Sequence, residues 1–179
     1  MNEQARSAHT LATPTWITGW IRQWKHCADT SFGKICALTV ARRENSTIHG
    51  VLIQDETDKI AEVDRREIGY RREGVEIQDE RVKSSIIGMD TFIYVSTQEY
   101  NRWGNAEFPI YQSYLDCVLA GYLKLWGRDG AANFIATTEG WYVPILNDRS
   151  SPKYPRAVQL SEIDRCVIDE LLKESPRSR

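Results

Sequence analysis

The residues best suited to chemistry are the carboxylates of one strongly charged stretch, EVDRREIGYRREGVEI at 62–77. Glu67 stands apart in this stretch, because it falls at the predicted end of a helix and directly before Ile68 and Gly69. Gly69 gives the backbone freedom to turn, and Tyr70 supplies an aromatic wall with a polar tip. A carboxylate in partly apolar surroundings can act as a general acid–base group. On composition alone most glutamates in such runs face water, so both interpretations stay open at this point.

The motifs of other common chemistries do not occur in the sequence. There is no glycine-rich nucleotide-binding loop, no HExxH helix and no GxSxG elbow. The histidines lie in three separate regions beside no obvious nucleophile, which gives a serine–histidine–aspartate triad little support. They are His9, His26 and His49. The cysteines form no CxxC pair and have no zinc-like spacing, so we predict buried thiols. They are Cys27, Cys36, Cys117 and Cys166.

Length and charge exclude several classes of protein. A chain of 179 residues predicts one domain over 1–179, in which 1–11 and 175–179 are poorly ordered. The net charge is −2, and six basic residues balance six acidic ones in 64–83, so no nucleic-acid partner is predicted. No apolar run is long enough to span a bilayer, and the N-terminus lacks the apolar core of a signal peptide. We therefore predict a cytoplasmic location and no membrane partner. No feature of the sequence indicates an oligomeric state.

The first half of the chain reads mainly as strands. TWITGWIRQW at 15–24 carries tryptophans at a spacing of four and is rich in strand-forming residues, which favours a strand. We predict that its tryptophans pack in the core or on a sheet face. The runs 34–42 and 48–54 predict a hairpin joined by the polar turn RENST. A short helix is predicted over 55–67. Further short strands are predicted at 74–78, 81–87 and 91–97.

The second half of the chain reads mainly as helices. Apolar residues recur at helical spacing over 109–126, and Gly127 ends that helix. A second helical piece is predicted at 130–138, followed by a proline-punctuated loop at 147–157. The last helix, 161–174, begins with Ser161 as a cap. Its predicted buried side is Ile163, Val167, Ile168, Leu171 and Leu172. Strands followed by helices indicate an α+β fold.

The ordered segments resemble the gamma-glutamylcyclotransferase-like family. Members carry a strand of the GVLY type, as in IHGVLIQ here, followed by a helix with conserved residue types in a fixed order. The matching residues are Val63, Asp64, Glu67, Tyr70, Arg72 and Val75. Ile68 departs from the pattern, because many members have glycine beside Gly69. The segments GWIRQW, PIYQSYLDCVLAG, TTEGW and DRSSPKYPRA are similar to a bacterial branch of the family, so that the resemblance covers roughly residues 12 to 157.

The resemblance implies a fold and an activity. The fold would be a small mixed β-barrel with flanking helices. The activity would be the cyclisation of a gamma-glutamyl amide, in which the substrate's own α-amine attacks its γ-carbonyl, pyroglutamate forms and an amine leaves. The substrate would be a small molecule such as glutathione, a gamma-glutamyl amino acid or a gamma-glutamyl amine, and no cofactor would be needed. Glu67 would be the general acid–base group.

Other residues receive roles only within this interpretation. Tyr70, Tyr94 and Tyr111 would be pocket walls, although each is also explained as a core or half-buried aromatic residue. Arg149 and Arg156, in the loop DRSSPKYPR, would grip a substrate carboxylate, and a plain surface loop is the alternative.

One departure from the family concerns the N-terminus. Members begin with a strand ending in a YGSL- or YGSN-type loop, whose backbone amides are thought to hold the gamma-glutamyl group. This chain contains no such tetrapeptide and begins MNEQARS. We expect either that the natural start lies upstream or that the first strand has been lost. In the second case the alternative function is a non-catalytic small-molecule-binding or interaction domain that keeps the fold.

Overall fold

The computed structural model describes residues 11–55 and 59–175. The terminal segments predicted to be poorly ordered lie almost wholly outside the described residues, which exclude 1–10 and 176–179.

A long antiparallel hairpin forms the framework of the molecule. Its strands are β1 (Leu11–Thr30) and β2 (Gly33–Gln54). The strand predicted at 15–24 is thereby confirmed as part of β1, but the predicted hairpin between 34–42 and 48–54 is wrong. RENST lies inside β2, where the pairing register jumps from Thr18–Thr47 to Trp20–Arg42. The polar residues form a bulge opposite Gly19 and not a turn, because β1 is long enough to pair with both halves of β2.

The middle of the chain alternates short helices and strands. They are α1 (Ile60–Arg66), β3 (Tyr70–Gly74), α2 (Glu80–Lys83), a 3-10 turn (Ser84–Ile86) and β4 (Phe92–Ser96). The strand predicted at 91–97 is confirmed by β4. The strand predicted at 74–78 is wrong, because β3 ends at Gly74 and residues 75–79 belong to no strand. The strand predicted at 81–87 is wrong, because Asp79 caps a helix there by accepting the backbone N–H of Arg81 at 3.1 Å.

The C-terminal part supplies the two longer helices. Its elements are β5 (Ile110–Tyr111), α3 (Gln112–Ala136), β6 (Thr138–Glu139), β7 (Ile145–Leu146) and α4 (Glu162–Glu174). Both predicted helical pieces belong to α3, which kinks at Gly127, where φ is +64°. Ser161 caps α4 as predicted, by accepting the backbone N–H of Asp164 at 3.1 Å. Ile163 is 76% exposed, however, so the prediction that it is buried is wrong.

The described strands make three sheets. β1 lies between β2 and β6, β3 pairs with β4 antiparallel, and β5 pairs with β7 parallel. The predicted α+β class is confirmed by this mixture of sheets and helices. The three sheets are not joined into a closed barrel in the part of the chain that the structure describes, and the barrel stays a prediction.

Two hydrophobic clusters share the long hairpin. Trp24 belongs to the larger cluster, which β1 forms with α3 and α4. Trp20 belongs to the smaller cluster, together with residues of β4 and α2. The predicted core role of these two tryptophans is therefore confirmed. Buried thiols are confirmed for Cys27, Cys36 and Cys117, whereas Cys166 is exposed on α4. None of the described helices combines the length and the apolar character that crossing a membrane requires.

Candidate active site around Glu67

Glu67 lies in a tight turn between α1 and β3. Its backbone N–H donates to the Val63 carbonyl at 3.0 Å, as the last bond of the helix. Its carbonyl then accepts the N–H of Tyr70 at 3.1 Å, which closes a four-residue turn. The third residue of that turn is Gly69, whose φ of +80° is the value that a type II turn requires there. The local sequence thus fixes the backbone on both sides of Glu67.

Gly69 is also required by its surroundings. A Cβ at this position would lie 2.6 Å from Cγ of the Tyr100 ring, so no other residue fits without displacing that ring. The Gly69 carbonyl accepts the backbone N–H and the hydroxyl of Thr97, at 2.8 and 3.1 Å. Ile68 before it is 69% exposed, whereas Glu67 is half-buried. The Ile–Gly step therefore turns the chain so that the glutamate faces the protein and the isoleucine faces solvent.

Two tyrosine hydroxyls hydrogen-bond to the backbone of one residue of β2, Leu38, beside this turn. The Tyr70 hydroxyl donates to the Leu38 carbonyl at 2.7 Å. The Leu38 N–H donates to the hydroxyl oxygen of Tyr114, on α3, at 3.4 Å. Tyr70 and Tyr114 are thereby both held against β2 beside the turn that carries Glu67.

His26 packs against the ring of Tyr70. Its ring stacks on Tyr70 with centroids 3.8 Å apart and on Tyr100 with centroids 5.3 Å apart. Its Nδ1 lies 2.8 Å from the Ser96 hydroxyl oxygen. Burial lowers the pKa of His26 to about 4, so the ring is neutral near pH 7. A neutral, stacked imidazole holds the tyrosine without adding a charge near Glu67.

The loop after β7 covers the other side of the site. Asp148 anchors it: its carboxylate accepts the N–H and hydroxyl of Ser113, at 2.8 and 2.6 Å, and the N–H of Lys153 at 2.8 Å. The N–H of Tyr154 also donates to the Ser113 hydroxyl oxygen, at 3.2 Å. The start of α3 therefore fixes the path of this loop.

This anchoring places an aromatic ring and a cation near Glu67. The Tyr154 ring lies 4.9 Å from the Tyr114 ring, centroid to centroid. The Arg156 guanidinium lies 5.5 Å from the centroid of the Tyr154 ring. Burial raises the pKa of Glu67, and the positive charges of Arg66 and Arg156 oppose that rise. Arg156 is therefore close enough for its charge to act on the Glu67 carboxyl.

The carboxyl of Glu67 sits among phenols and has no direct partner in 11–55 or 59–175. Burial raises the pKa values of three neighbouring tyrosines, and the Glu67 charge adds to each rise. These are Tyr70, Tyr114 and Tyr154. A half-buried carboxyl whose pKa is raised and which forms no salt bridge with a described residue can both accept and return a proton.

The structure brings some of the predicted site residues to Glu67. Tyr70 and Arg156 belong to this group, as described above. The Tyr94 hydroxyl donates to Oδ1 of Asp64 on α1 at 2.7 Å. Burial, Asp64 and Glu67 together raise the pKa of Tyr94, which places it on the flank of the site.

Two predicted residues lie elsewhere. Tyr111 is 2% exposed at the start of α3, where a Cβ on Gly33 would lie 2.6 Å from its hydroxyl oxygen. Arg149 donates to both carboxylate oxygens of Asp116, at 2.6 and 2.8 Å, and to Oδ1 of Asp169 at 2.7 Å. Its guanidinium ties α3 to α4. A substrate-binding role for Tyr111 and Arg149 stays a prediction.

Three residues of the site were not singled out from the sequence. Tyr114 reads there only as part of the apolar face of a helix, and Tyr154 only as part of the loop 147–157. His26 carries no motif. Among the residues that the structure describes, no group of three histidines, cysteines or carboxylates is arranged to hold a metal ion.

Comparison with known proteins supports the fold. No family model matches the chain, and no curated protein matches it. A human protein of known structure, described as uncharacterized, has a TM-score of 0.57 and 13% identity to this chain. A structure of gamma-glutamyl cyclotransferase has a TM-score of 0.53 and also 13% identity. Each match covers 93% of this chain and 89% of the other. The chain therefore has the fold of gamma-glutamyl cyclotransferase.

Proposed function

We propose that the chain releases pyroglutamate from gamma-glutamyl compounds, with Glu67 as the general acid–base group. The observation that carries this proposal is the half-buried carboxyl of Glu67, whose pKa burial raises and which lies near the phenols of Tyr70, Tyr114 and Tyr154. The shared fold with gamma-glutamyl cyclotransferase supports the same reaction type. Because nucleophile and electrophile belong to one substrate molecule, orientation supplies much of the rate acceleration.

Glu67 moves one proton twice in the proposed reaction. As a carboxylate it accepts a proton from the substrate's α-ammonium group. The freed amine attacks the γ-carbonyl carbon, a new C–N bond closes the five-membered ring, and the carbonyl electron pair moves to oxygen. The protonated Glu67 then donates to the leaving nitrogen as the old C–N bond breaks. A pKa raised toward neutrality favours both directions of this transfer.

Two further side chains suit the substrate's charges. The Tyr114 hydroxyl accepts the Leu38 N–H, so its own proton can be donated to the developing oxyanion of the substrate. Arg156 is exposed and acts electrostatically on Glu67, which makes it the candidate partner for the substrate's α-carboxylate. Tyr70 and Tyr94 line the pocket, with their hydroxyls engaged by Leu38 and Asp64.

The same proposal includes the family branch, the barrel, the location and the substrates. The quoted sequence segments support a bacterial branch of the gamma-glutamylcyclotransferase-like family, with a small mixed β-barrel and a cytoplasmic location. Glutathione, gamma-glutamyl amino acids and gamma-glutamyl amines are the proposed substrates, with no cofactor and no nucleic-acid or membrane partner.

Pyroglutamate release tests the proposal directly. Glutathione and a panel of gamma-glutamyl dipeptides and amines are incubated with the wild-type chain, with Glu67→Gln and with Glu62→Gln. Loss of the acid–base group lowers kcat by about 100- to 10,000-fold. Glu62 lies on the same helix with a 72% exposed side chain, so Glu62→Gln keeps wild-type activity.

Two results contradict the proposal. One is equal turnover by wild type and Glu67→Gln, which removes Glu67 from the mechanism. The other is no release from any donor by a folded wild-type chain. If that chain still binds gamma-glutamyl ligands, and Arg156→Gln abolishes the binding, the non-catalytic binding domain replaces the enzyme.

A further inference from the structure

Cys27 and Cys36 face each other across the long hairpin. They are register partners in β1 and β2, and both are free thiols. The Cys27 N–H donates to Tyr100 and the Cys36 N–H to Pro109, so neither bonds to the other strand at this point. Such a non-hydrogen-bonded antiparallel pair brings Cα atoms to about 4.5 Å. That separation lies at the short end of the range that a disulfide spans, about 4.4–6.8 Å.

Cys27 is one of the residues that line a cleft. A cleft of about 190 Å³ is lined by Cys27, Asp29, Glu99, Tyr100 and Arg102. Cys27 donates its thiol proton to the Arg102 carbonyl at 3.2 Å in this cleft. Cys36 is fully buried behind it. A small solute that enters the cleft reaches Cys27 first, and the second thiol then lies within reach of the product.

The two thiols also differ in pKa. A hydrogen bond from the Cys36 thiol lowers the pKa of Cys27 to about 7, and the Arg102 guanidinium adds to this effect, while burial opposes it. The hydrogen bond with Cys27 raises the pKa of Cys36, and burial raises it further. The thiolate is the reactive form of cysteine, so Cys27 has the character of an attacking group and Cys36 that of a resolving group.

We propose that Cys27 and Cys36 are a peroxide-reactive thiol pair, in which Cys27 reacts with a small hydroperoxide and Cys36 resolves the product to a disulfide. The Cys27 sulfur attacks the terminal oxygen of ROOH, the O–O bond breaks, and Cys27 sulfenic acid and ROH form. The Cys36 sulfur then attacks the Cys27 sulfur, the S–O bond breaks, and a disulfide and water form. Two thiols are oxidised and one peroxide is reduced.

Two features of the resting geometry support this chemistry: the cysteines are direct register partners, and Cys27 lines the cleft. Both side chains are nearly fully buried, at 2% and 0% exposed. The chain also supplies an internal comparison. Cys117 is buried and Cys166 is exposed, and neither has a cysteine as its strand partner.

Peptide mapping of the oxidised protein tests the pair. The reduced wild-type chain is exposed to hydrogen peroxide near pH 7.5, quenched under denaturing conditions with an alkylating agent, digested and analysed by mass spectrometry. We expect a Cys27–Cys36 crosslinked peptide, lighter by the two hydrogen atoms lost, before Cys117 or Cys166 is consumed. Oxidation at Cys117 or Cys166, with Cys27 and Cys36 still alkylated, overturns the proposal.

Variants separate the two roles. In Cys36→Ala the sulfenic acid at Cys27 persists, so dimedone present in the quench labels Cys27. In Cys27→Ala the Cys36 thiol stays unlabelled. Labelling of Cys36 in Cys27→Ala to the same extent as Cys27 in Cys36→Ala contradicts the assigned order. The wild-type map does not depend on either variant folding.

Discussion

The carboxyl of Glu67 is held in an environment that opposes its own charge. It sits in a turn whose backbone is fixed on both sides, and phenols line its surroundings. Residues at functional sites are commonly placed where they lower stability, because the reaction needs a perturbed pKa. Glu67 fits that pattern, since ionising it in the folded protein costs more than ionising it in the unfolded chain.

The pH dependence of stability follows from this cost. In the folded protein the pKa of Glu67 lies above its ordinary value of 4.5. Below pH 4.5 the carboxyl is protonated in both states. As the pH rises, the unfolded chain releases its proton first, and ionisation then favours unfolding until the folded carboxyl has also ionised. Wild type therefore loses stability relative to Glu67→Gln from about pH 4.5 upward, and the gap becomes constant above the folded pKa.

Denaturant unfolding of both proteins at a series of pH values measures this gap. Glu62→Gln is the control, because its exposed side chain predicts no change in the gap with pH. Two results contradict the assigned burial of Glu67. One is a difference in unfolding free energy between wild type and Glu67→Gln that does not change with pH. The other is a wild type that becomes more stable relative to Glu67→Gln as the pH rises.

The sequence allows the chemical type of this site to be predicted, but only some of the residues that form it. Glu67 and Tyr70 could be singled out, because their positions beside a glycine turn are local properties of the chain. Tyr114 and Tyr154 could not, because contacts between residues far apart in sequence bring them to Glu67. Ser113, for instance, bonds to Asp148 and to Tyr154, 35 and 41 positions away. Arg149 is the opposite case, because the sequence predicts it at the site and the fold places it elsewhere. Its guanidinium forms ion pairs with Asp116 and Asp169, which no sequence motif connects to it.

The turn between α1 and β3 is the element on which the site depends. Gly69 has a positive φ and also contacts the face of Tyr100, which in turn stacks on His26. Any side chain at position 69 would therefore disturb both the turn and the stack that supports Tyr70.

Gly69→Ala should destabilise the protein more than Gly88→Ala. Both glycines have nearly the same φ, +80° and +78°, but a Cβ at Gly88 meets nothing within 4 Å. Gly88→Ala therefore pays only the left-handed backbone strain, about 1 kcal/mol. Gly69→Ala adds an overpacking cost of about 1–3 kcal/mol against Tyr100. Thermal unfolding measures both changes, and equal losses of stability would show that Tyr100 moves aside freely.

Two of the wrongly predicted elements share a physical cause. RENST has the composition of a turn, but its neighbours on both sides pair with the same strand, so the polar residues are accommodated as a bulge. Residues 81–87 have strand-like composition, yet the Asp79 cap and the buried Val82 fix a helix. In both places long-range pairing or packing outweighs local propensity.

The two longer helices and the covering loop are connected through one arginine. Arg149 joins Asp116 on α3 to Asp169 on α4, and its loop also carries Tyr154 and Arg156 to the site. Arg149 therefore ties the C-terminal helix to the loop that carries Tyr154 and Arg156.

Arg149→Met should cost about 3–5 kcal/mol of unfolding free energy, because the Asp116 side chain, 5% exposed, is left as an uncompensated charge. Arg128→Met is the matched control: it removes an ion pair between the same two helices, to Glu170, but an exposed one worth about 0–1 kcal/mol. Urea unfolding measures both variants. A raised KM with unchanged stability in Arg149→Met would instead support the substrate-binding role predicted for Arg149.

The hydrogen bonds to the backbone of Leu38 affect the tendency of the protein to self-associate. An unpaired strand edge is a template on which a second chain can add, and proteins usually cover it with another strand or a charge. Here two phenol hydroxyls occupy the backbone N–H and C=O of Leu38, on the edge strand β2. Tyr70 and Tyr114 therefore close a short stretch of open edge. It follows that replacing both with phenylalanine would free these two backbone groups for pairing, and that self-association of the purified chain would rise along with any change in activity.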